Sequence, residues 1–145
     1  MLFRSHSACA DPVQRLRAVM ALVFRGVASD EHTRRVFEIA LYKVEYVSEL
    51  TGLRERHVAA SEGFTQQLAR DFALAAESQG VALSMSAMDA AVSLHALFDG
   101  LIRNWILNEG GFDLVRVGGA STDAFLQGVG LSLDGAKESM RHCRD

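Results

Sequence analysis

Residues 83–109 read LSMSAMDAAVSLHALFDGLIRNWILNE, and the other helices of the chain are expected to pack around this segment. Ser86 and Asp89 have the spacing of a capping box, so a helix is predicted to begin at or near Ser86. No proline follows within the segment, and apolar side chains occupy every face of the predicted helix. A helix that is apolar all round must be covered all round. The segment is therefore either the central helix of a bundle or a helix buried half in its own chain and half in a partner.

Three ionisable side chains interrupt this apolar helix. His95, Asp99 and Arg103 recur every four residues and therefore form one stripe, which makes the helix too polar to span a membrane. The stripe has two interpretations: a ladder of i, i+4 pairs that stabilises the helix, or the polar wall of a ligand cavity. Gly100 costs the helix about 1 kcal/mol relative to alanine, which is sensible only where another group approaches the backbone closely.

The rest of the chain predicts an all-α fold in a single domain. It has 145 residues, of which 49% are hydrophobic, and it contains a single proline, in the pair Asp11-Pro12 that favours a helix start. Glycines in the last predicted helix indicate either close approach of partner helices or an irregular helix. Five helices are expected. The first begins at Pro12, the second runs from Ser29 or Asp30 to about Leu50, and the third runs from about Leu53 to Ser78, just before Gly80. The fourth begins near Ser86, and the fifth lies within Leu114–Leu133.

Composition and motifs argue against several classes of function. The net charge is −3 and the pI is about 5.9, which does not favour a nucleic-acid-binding surface. The five histidines show no metal-ligand spacing, and there is no phosphate-binding loop. Ser93, His95 and Asp99 share one helix, but side chains two positions apart diverge, so a hydrolase is not expected. We therefore expect no enzyme, no metal, no cofactor and no membrane insertion.

Both ends of the chain are expected to lie outside the folded domain. Residues 1–10 lack the apolar run of a signal peptide and are expected to be loosely ordered, and residues 134–145 are expected to form a mobile tail. Cys9 and Cys143 fit a reduced cytoplasmic protein. The domain is therefore assigned to residues 11–133.

Two segments carry a family resemblance. DGLIRNWILNEGGFDL at Asp99–Leu114 and RRVFEIALYKVEYVSEL at Arg34–Leu50, together with Asp11-Pro12, resemble the C-terminal ligand-binding and dimerisation domain of the TetR family of bacterial regulators. The likeness is to the subgroup that represses multidrug-efflux operons, and it covers roughly Asp11–Val129. It implies a homodimer formed through the last two helices as a four-helix interface.

The resemblance also implies a function. The chain is expected to bind a small hydrophobic or amphipathic effector and so to relieve repression, and operator DNA is expected to be bound only through an N-terminal helix-turn-helix domain that these residues do not contain. The alternative is a stand-alone helical dimer that binds a ligand or sequesters a full-length regulator without binding DNA. The effector, the operator and the regulated genes do not follow from the sequence.

The resemblance and a second apolar stripe on the second helix together predict a ligand site. Glu45 near this stripe is either a surface carboxylate or a polar wall of the site. The expected dimer-interface residues are Leu94, Leu101, Trp105, Phe125 and Val129. The expected ligand-binding residues are Phe37, Leu41, Val44, Glu45, Phe64, Leu68, Phe72, His95, Phe98, Asp99 and Arg103.

Overall fold

The computed structural model describes residues 11–43 and 51–135. These ranges contain five α-helices and no strand, which confirms the predicted fold class. The two segments expected to be loosely ordered lie almost entirely outside the described residues, as do Val44 and Glu45. The elements are α1 (Pro12–Ser29), α2 (Glu31–Glu38), a π-helical turn (Ile39–Lys43), α3 (Thr51–Gln79), α4 (Ala87–Leu107), α5 (Leu114–Gly128) and a 3₁₀ turn (Leu133–Gly135).

Side-chain caps fix the helix starts that the sequence indicated. The Asp11 carboxylate accepts a hydrogen bond of 2.9 Å from the Val13 N–H, with Pro12 in the first turn. Ser86 Oγ accepts from the Asp89 N–H at 3.0 Å at the start of α4. These bonds satisfy backbone donors that a helix start would otherwise leave unpaired. The helices therefore begin where local sequence specifies them.

The second predicted helix differs from the structure in its course. It was expected to continue to about Leu50, but α2 ends at Glu38 and the chain continues as the π-helical turn Ile39–Lys43. The third helix agrees well, and it ends as predicted at Gly80, which adopts a positive φ of 63°. Residues 44–50 lie outside the described part of the chain.

The core lies between α1, α3, α4 and α5. Leu16, Met20 and Phe24 of α1 are almost fully buried, as are Phe98 and Ile102 of α4. Arginines of α1 connect it to two of its neighbours, since Arg15 contacts Asp71 of α3 at 3.2 Å and Arg17 contacts Asp123 of α5 at 2.7 Å. α1 is thus as central to the fold as α4.

Gly118 explains one of the glycines in α5. A Cβ at this position would lie 2.5 Å from Cδ2 of Phe24, so the absence of a side chain lets α1 and α5 pack closely. The approaching helix therefore belongs to the same chain. A Cβ at Gly100, Gly119 or Gly128 would meet no atom of the described part of the chain within 4 Å. In the described ranges, no helix is both long and apolar enough to cross a membrane.

Candidate functional site

A cavity of about 240 Å³ opens between α1, α2 with its π-helical turn, α3 and α4. Its lining is mainly apolar, with three phenylalanines among alanine, valine and leucine side chains. The polar contributions come from one hydroxyl, one imidazole and one carboxylate. The lining residues are Val23, Phe37, Ala40, Leu41, Ala60, Ser61, Phe64, His95, Phe98 and Asp99.

Phe98 is the centre of an aromatic cluster at this cavity. Its ring centroid lies 5.9 Å from that of Phe37 and 5.8 Å from that of Phe64, which come from different helices. Phe24 of the core lies 5.7 Å away on another side. Tilted and edge-to-face rings at these distances attract each other and present both faces and edges to a neighbour. The cluster therefore joins the hydrophobic core to the cavity wall and offers a surface for an aromatic ligand.

His95 and Asp99 form the polar side of the cavity. His95 Nδ1 and Thr65 Oγ1 lie 2.8 Å apart in a hydrogen bond, which ties α4 to α3. His95 Nε2 lies 3.4 Å from Asp99 Oδ2, one turn further along α4. The side chain of His95 is 14% exposed and that of Asp99 is 40% exposed. The imidazole is therefore held between a fixed hydroxyl and a carboxylate that reaches solvent.

The π-helical turn supplies two lining residues. A π-helix has more residues per turn than an α-helix, so the side chains of Ile39, Ala40 and Leu41 leave the angular positions that an α-helix would give them. Ala40 and Leu41 border the cavity, whereas Ile39 is 42% exposed. Short π segments are frequent at functional sites, and this one forms one wall of the cavity.

The structure brings together six of the predicted ligand-binding residues. Leu68 and Phe72 instead lie in the core of the chain, 1% and 0% exposed, and Phe72 packs against Phe125 with ring centroids 6.1 Å apart. Arg103 is exposed on α4, one turn beyond Asp99, and does not border the cavity. Val44 and Glu45 lie outside the described residues. The six that line the cavity are Phe37, Leu41, Phe64, His95, Phe98 and Asp99.

Sequence reasoning missed the small and polar residues of the site. Ala40, Ala60 and Ser61 border the cavity, and Val23 closes it from α1. Thr65, which forms a hydrogen bond to His95, is also absent from the residues that the sequence predicts for the site. Ser61 and Thr65 lie one turn apart on α3, in the same half of the helix as Phe64. A pair of hydroxyl residues beside an aromatic one was the signal available in the sequence.

The residues predicted for the dimer interface have clear positions within one chain. Leu94 and Val129 are buried in its core, at 0% and 2% exposure. Trp105 is 9% exposed, donates from Nε1 to the Phe112 carbonyl at 2.9 Å, and has the Arg34 guanidinium 4.8 Å from its ring centroid. Leu101 and Phe125 are half-buried. Single-chain packing therefore already accounts for most of the contacts of Leu94, Trp105 and Val129.

The chain is similar to known regulators over most of its length. The family described as MAATS-type transcriptional repressor, C-terminal region, matches residues 11–130. The chain is 30% identical over 105 residues to the HTH-type transcriptional regulator TtgR of Pseudomonas putida, covering 72% of this chain and 50% of the relative. It is 26% identical over 118 residues to the probable acrEF/envCD operon repressor of Escherichia coli, and this match covers 81% of this chain and 53% of the relative. The chain spans about half the length of these curated relatives.

Proposed function

We propose that this chain, which belongs to the family of MAATS-type, TetR-related transcriptional repressors and matches their C-terminal region, senses a small hydrophobic or amphipathic effector for such a repressor. The observation that carries the proposal is the cavity of about 240 Å³ beside the aromatic cluster around Phe98. Concave, largely apolar sites with a few convergent polar groups are typical of small-molecule binding. Apolar contact is non-directional, so such a site accepts compounds of varied shape.

Effector binding must favour one of two states of the protein in order to relieve repression. In the described structure α2 has no buried side chain, so it is the helix beside the cavity that is held by the fewest core contacts. Arg34 connects it to the end of α1 by donating to the carbonyls of Val27 and Ala28, at 3.3 and 3.2 Å. A ligand among Phe37, Leu41 and Phe98 contacts α2 and its π-helical turn directly. We propose that occupancy of the cavity shifts the position of α2.

The repressor is proposed to act as a homodimer through the outer faces of α4 and α5. Gly100 lies within α4 although no atom of residues 11–43 or 51–135 would approach its missing Cβ, and Gly119 and Gly128 of α5 are open to the same residues. Leu107 near the end of α4 is 62% exposed. A second copy of the same face would bury these positions across a two-fold axis. Small residues would let the helices approach closely.

Operator DNA is proposed to be bound by a helix-turn-helix segment outside the described residues. The name of one relative identifies it as an HTH-type regulator, and this chain matches about half of it. The other relative is by name a probable repressor of the acrEF/envCD operon. Because the chain also resembles the subgroup of TetR regulators that represses multidrug-efflux operons, we propose that the regulated genes form an efflux operon.

A thermal-denaturation panel tests the sensing function. Hydrophobic drugs, dyes and plant phenolics that occupy the cavity should raise the melting temperature, because they bind the native state alone. Ala60→Trp should abolish these shifts, because the larger side chain fills the cavity without creating a void. Leu22→Ala, at a position 66% exposed on α1, is the control and should keep them. A broad panel without any shift, or equal shifts in Ala60→Trp, would refute the proposed site.

A further inference from the structure

Resting on the proposed effector site, we infer that Arg34 is a positioning residue that couples α2 to the start of α5 through the ring of Trp105, so that occupancy of the cavity alters the turn between α4 and α5. In the described part of the chain, two contacts that involve aromatic rings join α2 to α4. At the cavity, the ring centroids of Phe37 and Phe98 lie 5.9 Å apart. Beyond the cavity, the Arg34 guanidinium lies 4.8 Å from the centroid of the Trp105 ring, within the range of a cation–π interaction.

The two contacts are arranged so that a movement at one reaches the other. Arg34 lies three residues before Phe37 and therefore shares its side of α2, and Trp105 lies about two helical turns after Phe98 on α4. The effector is proposed to contact Phe37 and Phe98, and α2 has no buried side chain to hold it in place against such a ligand. A ligand that separates these two rings therefore also withdraws Arg34 from Trp105.

The Arg34 side chain is held in place by α1 as well. Its Nε and one terminal nitrogen donate to the carbonyls of Val27 and Ala28, at 3.3 and 3.2 Å. These carbonyls belong to the last turn of α1, where backbone acceptors lack partners within the helix and a positive charge is favoured. The guanidinium is thus fixed by α1 and by the indole together. A shift of α2 has to change at least one of these contacts.

The indole of Trp105 in turn fixes the segment that leads into α5. Its Nε1 donates to the Phe112 carbonyl at 2.9 Å, and the Trp105 carbonyl accepts from the Gly110 N–H at 2.9 Å. A Cβ at Gly110 would lie 3.2 Å from Cζ2 of the indole, so the ring lies directly against this turn. Asp113, next to Phe112, caps α5 by accepting from the Arg116 N–H at 3.1 Å. A displacement of the ring therefore reaches the first turn of α5, one of the two helices proposed for the dimer.

The fluorescence of Trp105, the sole tryptophan of the chain, reports on this contact. Acrylamide quenching of the fluorescence measures access to the ring. Arg34→Gln removes the charge but keeps an amide that can donate to the α1 carbonyls, and it should raise the quenching constant because the guanidinium no longer covers the ring. Arg35→Gln is the matched control on α2, since it removes the same charge from an exposed side chain that pairs with Glu31 at 2.8 Å. It should leave the quenching constant unchanged.

Cyclohexanol, menthol and adamantanol serve as probes of the cavity, because they are amphipathic and do not absorb the light that excites tryptophan. Their binding should raise the quenching constant of the original chain and of Arg35→Gln towards the value of Arg34→Gln, and should leave that of Arg34→Gln unchanged. Coupling is reciprocal, so removing a contact that the ligand has to break should tighten ligand binding. Titration calorimetry should therefore give an affinity about twofold to fivefold higher in Arg34→Gln, as expected from the strength of one exposed cation–π contact.

The outcomes separate the coupling from the sensing function. Probes that bind without changing the quenching constant of the original chain, or that change it equally in Arg34→Gln, would overturn the inference and leave the proposed sensing function standing. An unchanged or weaker affinity in Arg34→Gln would overturn it too, because a side chain that only stabilises the fold gives that result. If none of the three alcohols binds, the inference and the proposed site both fail.

Discussion

Replacing Gly118 with alanine should destabilise the chain, although alanine is the better helix former. The added Cβ would lie 2.5 to 2.8 Å from three carbon atoms of the Phe24 ring, whereas carbon atoms in favourable contact lie about 3.5 to 4.0 Å apart. Phe24 is 1% exposed and packs on Phe98, so its ring has little freedom to withdraw. Overpacking of this kind costs about 1 to 3 kcal/mol, and the gain in helix propensity returns about 1 kcal/mol.

The expected net loss for Gly118→Ala is therefore up to about 2 kcal/mol, or a fall in melting temperature of several degrees for a domain of this size. Urea denaturation followed by circular dichroism measures the free energy of unfolding directly. Gly119→Ala is the matched control on the same helix, because its Cβ would meet nothing within 4 Å among the residues that the structure describes. The control should be neutral or stabilising by up to about 1 kcal/mol.

Combining Gly118→Ala with Phe24→Leu separates the ring contact from other effects. A smaller side chain at position 24 removes the overlap, so alanine at position 118 should cost less in that background than in the original chain. The two changes would then be non-additive, as expected for residues in contact. If Gly118→Ala proves as stable as Gly119→Ala, the close packing of α1 against α5 through this glycine is wrong.

Three further predictions concern association, capping and DNA. Sedimentation at micromolar concentration should give about twice the 15.8 kDa chain mass. Gly100→Trp should reduce this mass to that of the monomer without unfolding, because no described residue lies near a Cβ at this position. A dimer that survives this change uses another face. Ser86→Ala should cost about 1 kcal/mol of stability in urea denaturation, because the cap on the Asp89 N–H is lost, and an unchanged stability would contradict the role of this cap. The chain of 145 residues should not bind operator DNA specifically, since its 15 basic residues are outnumbered by 18 acidic ones, and a sequence-dependent mobility shift at physiological salt would refute this.

The sequence predicted the features that depend on neighbouring residues. The helix starts at Pro12 and after Ser86 follow from side chains that bond to backbone N–H groups two or three positions away. The end of α3 follows from Gly80, whose positive φ suits the residue after a helix. Each of these interactions is local, so the residues that make it are adjacent in the sequence and no knowledge of the packing is required.

The cavity was predicted only in part because it depends on where packing is incomplete. Phe64, Leu68 and Phe72 share one stripe of α3, yet the first lines the cavity and the other two are buried in the core. Periodicity shows that such residues face inward but does not show how far along the helix the neighbouring elements remain in contact. The π-helical turn adds a second difficulty, because the side-chain positions of Ala40 and Leu41 do not follow the α-helical period.

The polar stripe of α4 combines the two interpretations that the sequence left open. His95 and Asp99 form an i, i+4 pair 3.4 Å apart, as a stabilising ladder requires, and both also line the cavity. An i, i+4 pair on a helix contributes only a few tenths of a kcal/mol, so stability alone is a weak reason for placing two ionisable groups beside three phenylalanines. Thr65 adds a hydrogen bond from another helix, which fixes the imidazole relative to both α3 and α4. A fixed polar pair at the edge of an aromatic cavity is what a site needs in order to orient an amphipathic ligand, because apolar contact alone does not determine which end of the ligand enters first.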